Sequence, residues 1–124
     1  MDLHLKGKVA LVVASSKGLG KAIAAQLAQE GCDVMLTSRD EKQLELTRQE
    51  LQKQATGRVE CQPCDITSAE EICALVQATR ERLGTINILI NNSGGPPGGG
   101  FDAHDDENWQ SAFELNLLSY VRMI

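Results

Sequence analysis

Eight residues near the amino terminus, 13–20, combine small side chains with two glycines between a predicted strand and a predicted helix. They read Val-Ala-Ser-Ser-Lys-Gly-Leu-Gly, follow an apolar run at 9–14 and lead into a helical pattern. The first N–H groups of a helix have no partner within the helix and lie at its positive end, so they bind phosphate anions. Gly18 and Gly20 lack a Cβ, which lets a pyrophosphate approach the backbone and the helix pack close to the sheet. An ordinary strand-to-helix turn stays the alternative, because the spacing is not G-x-G-x-x-G.

The composition restricts the class of protein. A chain of 124 residues predicts one domain, and its net charge of −5 disfavours nucleic acid and anionic membranes as partners. No apolar stretch approaches the roughly 20 residues that span a bilayer. His4 and His104 are isolated, so we expect no metal. We therefore predict a cytoplasmic protein with no nucleic-acid partner and no membrane segment.

Four cysteines include one pair with C-x-x-C spacing, Cys61 and Cys64. This spacing is typical of redox and zinc sites. The pair lies on a predicted strand, however, where residues three apart point to opposite faces, and no second ligand pair accompanies it. We expect Cys32, Cys61, Cys64 and Cys73 to be buried, reduced thiols.

The elements that must position these residues alternate regularly. Apolar runs predict strands at 9–14, 33–37, 58–64 and 86–91, and apolar stripes of helical period lie between them, with a last helix at 107–124. This β-α-β-α-β-α-β-α order favours a parallel sheet with right-handed crossovers. The strand order 3-2-1-4 would place the turn at the topological switch point of a doubly wound α/β sheet, where ligands bind.

Local signals mark the ends of the helices. Two pairs have capping-box spacing: Asp40 with Gln43, and Thr67 with Glu70. Three glycines follow predicted helices where a left-handed residue is expected: Gly31, Gly57 and Gly84. A glycine- and proline-rich stretch, 93–100, predicts a loop after the fourth strand. It is either a flexible surface loop or a segment over a cofactor or substrate.

These residues resemble the short-chain dehydrogenase/reductase family, with similarity to the amino-terminal half of its members. The turn is similar to the family's T-G-x-x-x-G-x-G: Gly18 and Gly20 match its last two glycines, whereas Val13 and Ala14 replace the threonine and the first glycine. The resemblance implies a Rossmann-type, doubly wound parallel sheet, truncated after the fourth strand and the following helix. It also implies that the turn binds the cofactor through Ser15, Ser16, Lys17, Gly18, Leu19 and Gly20.

The end of the second strand indicates which dinucleotide binds. NAD-dependent proteins hold the ribose 2′-hydroxyl with an acidic residue about 20 residues past the glycines. Here Ser38 and Arg39 occupy that region, and Lys17 supplies a second cation. Two cations favour a 2′-phosphate, so we predict NADP (NADPH) as the cofactor. Asp40 is assigned to capping the second helix, and solvated surface charges remain the alternative for Lys17 and Arg39.

Two further motifs carry the resemblance. Cys-Asp-Ile at 64–66 is similar to the family's adenine-binding site, which implies that Asp65 and the backbone of Ile66 contact the adenine. Asn-Asn-Ser-Gly at 91–94 resembles N-N-A-G, which implies that the cofactor ribose lies along Asn92, Ser93 and Gly94. Asn116 matches the asparagine of the family's Asn-Ser-Tyr-Lys catalytic set, which holds a water in the proton relay.

The implied function is that of the cofactor-binding half of an NADP(H)-dependent oxidoreductase. The intact parent would transfer hydride to or from a carbonyl or secondary alcohol of 3-oxoacyl-thioester or sugar type. The family's Ser and Tyr-x-x-x-Lys do not occur within residues 1–124, so we expect this chain to be a partial NADP-binding domain, inactive alone. The fourth-strand edge or the last helix would make a homo-oligomer, a dimer or tetramer. The alternative is a non-catalytic nucleotide-binding sensor or scaffold.

Overall fold

The computed structural model describes residues 1–95 and 98–124. Four strands alternate with helices along the chain. The strands are β1 (Val9–Val12), β2 (Asp33–Leu36), β3 (Val59–Cys61) and β4 (Ile88–Ile90). The helices are α1 (Gly18–Gln29), α2 (Glu41–Gln52), α3 (Ala69–Leu83), α4 (Asp106–Phe113) and α5 (Ser119–Met123). Each strand is shorter than its apolar run, because the ends of those runs form the turns.

The strands form one parallel sheet in the order β3-β2-β1-β4. In the register, Val12 pairs with Leu36 on one side and with Ile90 on the other. The predicted order 3-2-1-4 is confirmed, and β1 lies in the interior of the sheet. The chain therefore reverses its direction of winding at β1, directly beneath the turn at 13–20.

Alternation along β1 divides the core into two layers. Val9, Leu11 and Val13 pack on the face that α3 and α5 cover, whereas Ala10 and Val12 pack on the face of α1 and α2. All four residues of β1 are buried, as expected for a strand covered on both faces. This arrangement is the doubly wound α/β fold that the sequence predicts.

Two of the predicted helix-end signals need correction. Asp40 caps α2 as expected, but Ser68, not Thr67, caps α3 by accepting from the Glu71 N–H at 3.2 Å. Gly31 and Gly84 have the expected positive φ, at 94° and 106°, whereas Gly57 does not. A Cβ on Gly57 would collide with the backbone oxygen of Cys32, so close packing explains this glycine.

The last helical pattern is interrupted. A π-helical segment, Glu114–Leu118, joins α4 to α5, and a short 3-10 helix, Phe101–Ala103, precedes α4. The sequence predicted one continuous helix and gave no signal for either feature. Of the predicted loop 93–100, residues 96 and 97 lie outside the described residues, and the others contain no helix or strand.

The outer edge of β4 pairs with no strand in the part of the chain that the structure describes. Its three residues are only half-buried, in contrast to those of β1. Within residues 1–95 and 98–124, no helix is both long and apolar enough to cross a bilayer.

Candidate cofactor site

The start of α1 differs from the starts of the other long helices. Asp40, Ser68 and Asp105 each accept a hydrogen bond from the first turn of α2, α3 or α4, and each of those turns also contains acidic residues. Among the described residues, no side chain caps α1, and its first turn has no acid. Its N–H groups and positive dipole end are therefore available to an anion from outside the helix.

The two glycines of the turn serve different purposes. Gly18 has φ of 62°, a left-handed conformation, and a Cβ there would meet no atom within 4 Å. Gly20 is buried, and a Cβ there would overlap the Ala14 carbonyl and lie 2.9 Å from the Asn92 side-chain nitrogen. Gly18 shapes the turn, and Gly20 lets α1 pack directly against it.

Ala14 is held in an unfavourable backbone conformation. Its φ is 54°, in the left-handed region that glycine adopts most readily. Two contacts with the end of β4 fix it: the Val13 N–H donates to the Ile90 oxygen at 3.1 Å, and the Asn92 side chain donates to the Ala14 oxygen at 3.3 Å. The turn is thus tied to β4 without the threonine hydroxyl that the family motif supplies.

The structure gives Ser15 and Ser16 internal partners. Ser15 is fully buried, and its hydroxyl donates to the Val12 oxygen at 2.8 Å and accepts from the Thr37 N–H at 3.0 Å. Ser16 is also buried, and its carbonyl accepts from the Thr47 hydroxyl at 2.6 Å. These bonds fasten the turn to β2 and α2, and direct contact of the two serines with a cofactor stays a prediction. Lys17, Gly18 and Leu19 are exposed.

The ends of β2 and β3 bring the predicted ribose and adenine residues together. Ser38 is half-buried, Arg39 is exposed, and the Ser38 oxygen accepts from the Cys64 N–H at 3.0 Å. Asp65 accepts from the Thr67 hydroxyl at 2.7 Å and from the Thr67 N–H at 3.0 Å. These bonds, and the nearby charge of Arg39, lower the pKa of Asp65. Asp65 therefore stays ionised and can accept a further hydrogen bond from a ligand.

Two positively charged side chains, Lys17 and Arg39, lie at this edge of the sheet. Within the described residues, neither Lys17 nor Arg39 has a carboxylate within ion-pair distance. Nearby Lys21, by contrast, pairs with Glu50 at 2.8 Å. Lys17 is the N-cap residue of α1 and Arg39 follows the end of β2, so both cations lie at the carboxyl edge of the sheet.

On the other side of β1, the end of β4 meets the π-helical segment. The Ser93 hydroxyl donates to the Asn116 side-chain oxygen at 2.8 Å and lies 3.1 Å from the Tyr120 hydroxyl. The Asn116 side-chain nitrogen donates to the Ala112 oxygen at 3.2 Å. The structure thus brings Ser93 and Asn116 together. Tyr120 was not among the predicted site residues, because no lysine lies four residues after it, although it stands one turn after Asn116.

The burial of the four cysteines matches the prediction only in part. Cys32 and Cys64 are buried, but Cys61 is half-buried and Cys73 is exposed, because β3 ends at Cys61 and α3 turns Cys73 outward. All four are free thiols. Burial raises the pKa of Cys61 and of Cys64 to about 11, with the Glu45 carboxylate contributing at Cys61. A redox pair needs a lowered thiol pKa, so this C-x-x-C lacks the chemistry of one.

Comparisons with known proteins agree with this geometry. The family model for short chain dehydrogenases matches residues 8–124. The 3-oxoacyl-[acyl-carrier-protein] reductase of Vibrio cholerae is 33% identical over 121 residues, which cover 98% of this chain and 48% of that protein. The L-sorbose reductase of Gluconobacter frateurii, solved with NADPH and L-sorbose, superposes with a TM-score of 0.94 at 33% identity over 99% of this chain and 47% of that one.

A variant of actinorhodin polyketide ketoreductase, solved with NADPH, superposes with a TM-score of 0.88 at 36% identity and covers 99% of this chain and 46% of its own. The chain therefore belongs to the short-chain dehydrogenase/reductase family of oxidoreductases. It spans about half the length of the curated relatives that it matches.

Proposed function

We propose that this chain is the NADP(H)-binding part of a short-chain oxidoreductase. The observation that carries the proposal is the uncapped start of α1 at the switch point of the sheet, where the dinucleotide phosphates would accept hydrogen bonds from backbone N–H groups. Gly20 supports it, because a Cβ there would overlap the Ala14 carbonyl, so α1 packs directly against the turn.

The preference for NADP over NAD rests on charge. Lys17 and Arg39 lie beside the start of α1 and the end of β2, where the ribose 2′ position of a dinucleotide bound at this turn would lie. A 2′-phosphate would find two cations there and no acidic residue at position 38 or 39. Charge-assisted hydrogen bonds to phosphate are about twice as strong as neutral ones. The relatives solved with NADPH support the same preference.

Titration with NADPH and NADH tests this proposal. We expect saturable binding of NADPH, detected by nicotinamide fluorescence, and weaker binding of NADH. Arg39→Asp should raise the Kd for NADPH by about 10- to 100-fold, because it replaces a phosphate partner with a repelling charge. Its effect on NADH should stay within about 3-fold.

Lys42→Asp is the matched control. It makes the same change of charge three residues later, on the exposed surface of α2, and should change the Kd for NADPH by less than about 3-fold. Equal losses in the two variants would assign the effect to net charge. An unchanged Kd in Arg39→Asp would contradict the NADP proposal.

For the intact protein we propose hydride transfer between NADP and a carbonyl or secondary alcohol of 3-oxoacyl-thioester or sugar type. The named activities of the Vibrio and Gluconobacter relatives support this class. Residues 1–124 contain no Tyr-x-x-x-Lys, and a bound carbonyl would therefore lack a positioned proton donor. We propose that these residues alone bind the cofactor without turnover.

We also propose that the intact protein is a cytoplasmic homo-oligomer. Four apolar residues spaced four apart along α4, the π-helical segment and α5 are at least 47% exposed, and they are Trp109, Phe113, Leu117 and Val121. Such a stripe is typical of a surface that another helix covers. The β4 edge is the second candidate surface.

A further inference from the structure

The family motifs assign no role to Tyr120, yet the structure places it beside Ser93. It is half-buried and is the only tyrosine of the chain. Its hydroxyl lies 3.1 Å from that of Ser93, which stands where the family motif N-N-A-G has alanine. Ser93 also contacts Asn116. We call these three side chains the Ser93 network.

The direction of each hydrogen bond in the Ser93 network follows from the donors available. The Ala112 carbonyl can only accept, so the Asn116 nitrogen faces it and the Asn116 oxygen faces Ser93. The Ser93 hydroxyl has one hydrogen, which the Asn116 oxygen receives. The Tyr120 hydroxyl must therefore donate to Ser93, giving a directed chain from Tyr120 through Ser93 to Asn116.

The Ser93 network joins the end of β4 to the last helical region, and the two also share one core cluster through Leu89, Leu115 and Met123. Ser93 follows the end of β4, whereas Tyr120 and Asn116 lie on the helix that contains the π-helical segment. In that segment the Ser119 N–H donates to the Glu114 oxygen, five residues back instead of four. A π-helical turn, which contains one extra residue, occurs frequently at functional sites. Two bonds from one hydroxyl hold the segment 91–94 against it.

The position of the Ser93 network decides which part of a ligand it would affect. Arg39 and Asp65 lie at the ends of β2 and β3, on one side of β1, and Ser93 lies at the end of β4, on the other. A dinucleotide across the switch point places its adenosine half on the first side and its nicotinamide half on the second.

We propose that Tyr120 is a positioning residue which, through Ser93, holds the segment 91–94 in place for the nicotinamide half of the dinucleotide. This inference rests on the proposed function. It assigns Tyr120 no contact with the cofactor itself.

A comparison of two ligands distinguishes the two halves of the site. NADPH occupies both halves, whereas adenosine 2′,5′-bisphosphate contains the adenosine half alone. Tyr120→Phe removes only the phenol oxygen. It should raise the Kd for NADPH by about 2- to 10-fold, the value of one hydrogen bond, and change the Kd for the bisphosphate by less than about 1.5-fold.

A double-mutant cycle tests the route through Ser93. In a Ser93→Ala background the Tyr120 hydroxyl has no partner, so adding Tyr120→Phe should change the Kd for NADPH by less than about 1.5-fold. Ser119→Ala is the matched control, because it removes a hydroxyl from the same helix that bonds only within it, to the Leu115 oxygen. It should leave both dissociation constants unchanged in folded protein.

An NMR measurement on Tyr120 complements the dissociation constants. Tyrosine labelled with carbon-13 gives one phenol signal in this chain. That signal should move in Ser93→Ala and on saturation with NADPH, but not with the bisphosphate. Absence of binding of both NADPH and the bisphosphate would contradict the proposed function. Binding of both, with Tyr120→Phe weakening both equally or neither, would overturn the role of Tyr120 alone.

Discussion

At the scale of single residues, Ala14 shows how the site stores strain. A left-handed conformation costs a residue with a Cβ about 1–2 kcal/mol, yet the bonds of its neighbour Val13 to Ile90 and of its own carbonyl to Asn92 maintain it. Strained backbone of this kind is concentrated at ligand-binding turns. The turn is therefore held in shape before any ligand arrives.

Ala14→Gly should raise the free energy of unfolding by up to about 1 kcal/mol. Relief of the left-handed strain exceeds the entropy of about 0.4–1 kcal/mol that glycine adds to the unfolded chain. Ala22→Gly is the control, because Ala22 is exposed in the middle of α1, and it should cost about 1 kcal/mol. Urea unfolding measures both. Similar losses in the two variants would show that position 14 is unstrained.

The sequence predicted some residues of the site better than others. Gly18 and Gly20 were predicted from the strand-turn-helix pattern, because turns are set by local chemistry, whereas Asp65 was predicted only from the resemblance to the family. The burial of Ser15 and the bridging position of Tyr120 were not, because each depends on an element distant in sequence: β2 for Ser15 and the end of β4 for Tyr120. Contacts between distant elements leave no periodic signal in one sequence.

At the scale of elements, the contact between α1 and the turn fixes the site. Gly20 lies in the first turn of α1, and the Ala14 carbonyl and the Asn92 side chain occupy the space where a Cβ would stand. Backbone atoms cannot move aside as a flexible side chain can. The distance from α1 to β1 and β4 therefore depends on this one missing methyl group.

Gly20→Ala should lower the free energy of unfolding by about 1–3 kcal/mol, despite the better helix propensity of alanine, because the methyl group forces α1 away from the turn. NADPH affinity should fall with it. Gly95→Ala serves as the control, since a Cβ there meets no atom within 4 Å. It should change stability by less than about 0.5 kcal/mol. An equally stable Gly20→Ala protein would contradict the packing argument.

The elements themselves were largely predictable, and their ends less so. All four strands and the first three helices follow from apolar period and capping residues. The cap of α3 was placed one residue early, because Thr67 and Ser68 offer similar hydroxyls and Thr67 is already bonded to Asp65. The π-helical segment contacts the end of β4 through the bond between Asn116 and Ser93, and helical periodicity gives no sign of such a contact.

At the scale of the whole molecule, the order of the strands creates the site. β1 is interior, with β2 on one side and β4 on the other, and sheets with this strand order bind their ligands in a crevice above the carboxyl end of such a strand. Arg39 and Asp65 follow β2 and β3 on one side of β1, and Ser93, bonded to Asn116, follows β4 on the other. The predicted strand order was correct because right-handed crossovers and short connections leave few alternatives.

The most direct test of the account is the response of individual backbone amides to NADPH in nitrogen-15 NMR spectra. We predict that the amide signals of Gly18, Leu19 and Gly20 shift strongly, and that they saturate at the NADPH concentration at which the nicotinamide fluorescence does. Saturable binding that leaves these three amides unmoved would contradict the placement of the phosphates at the start of α1.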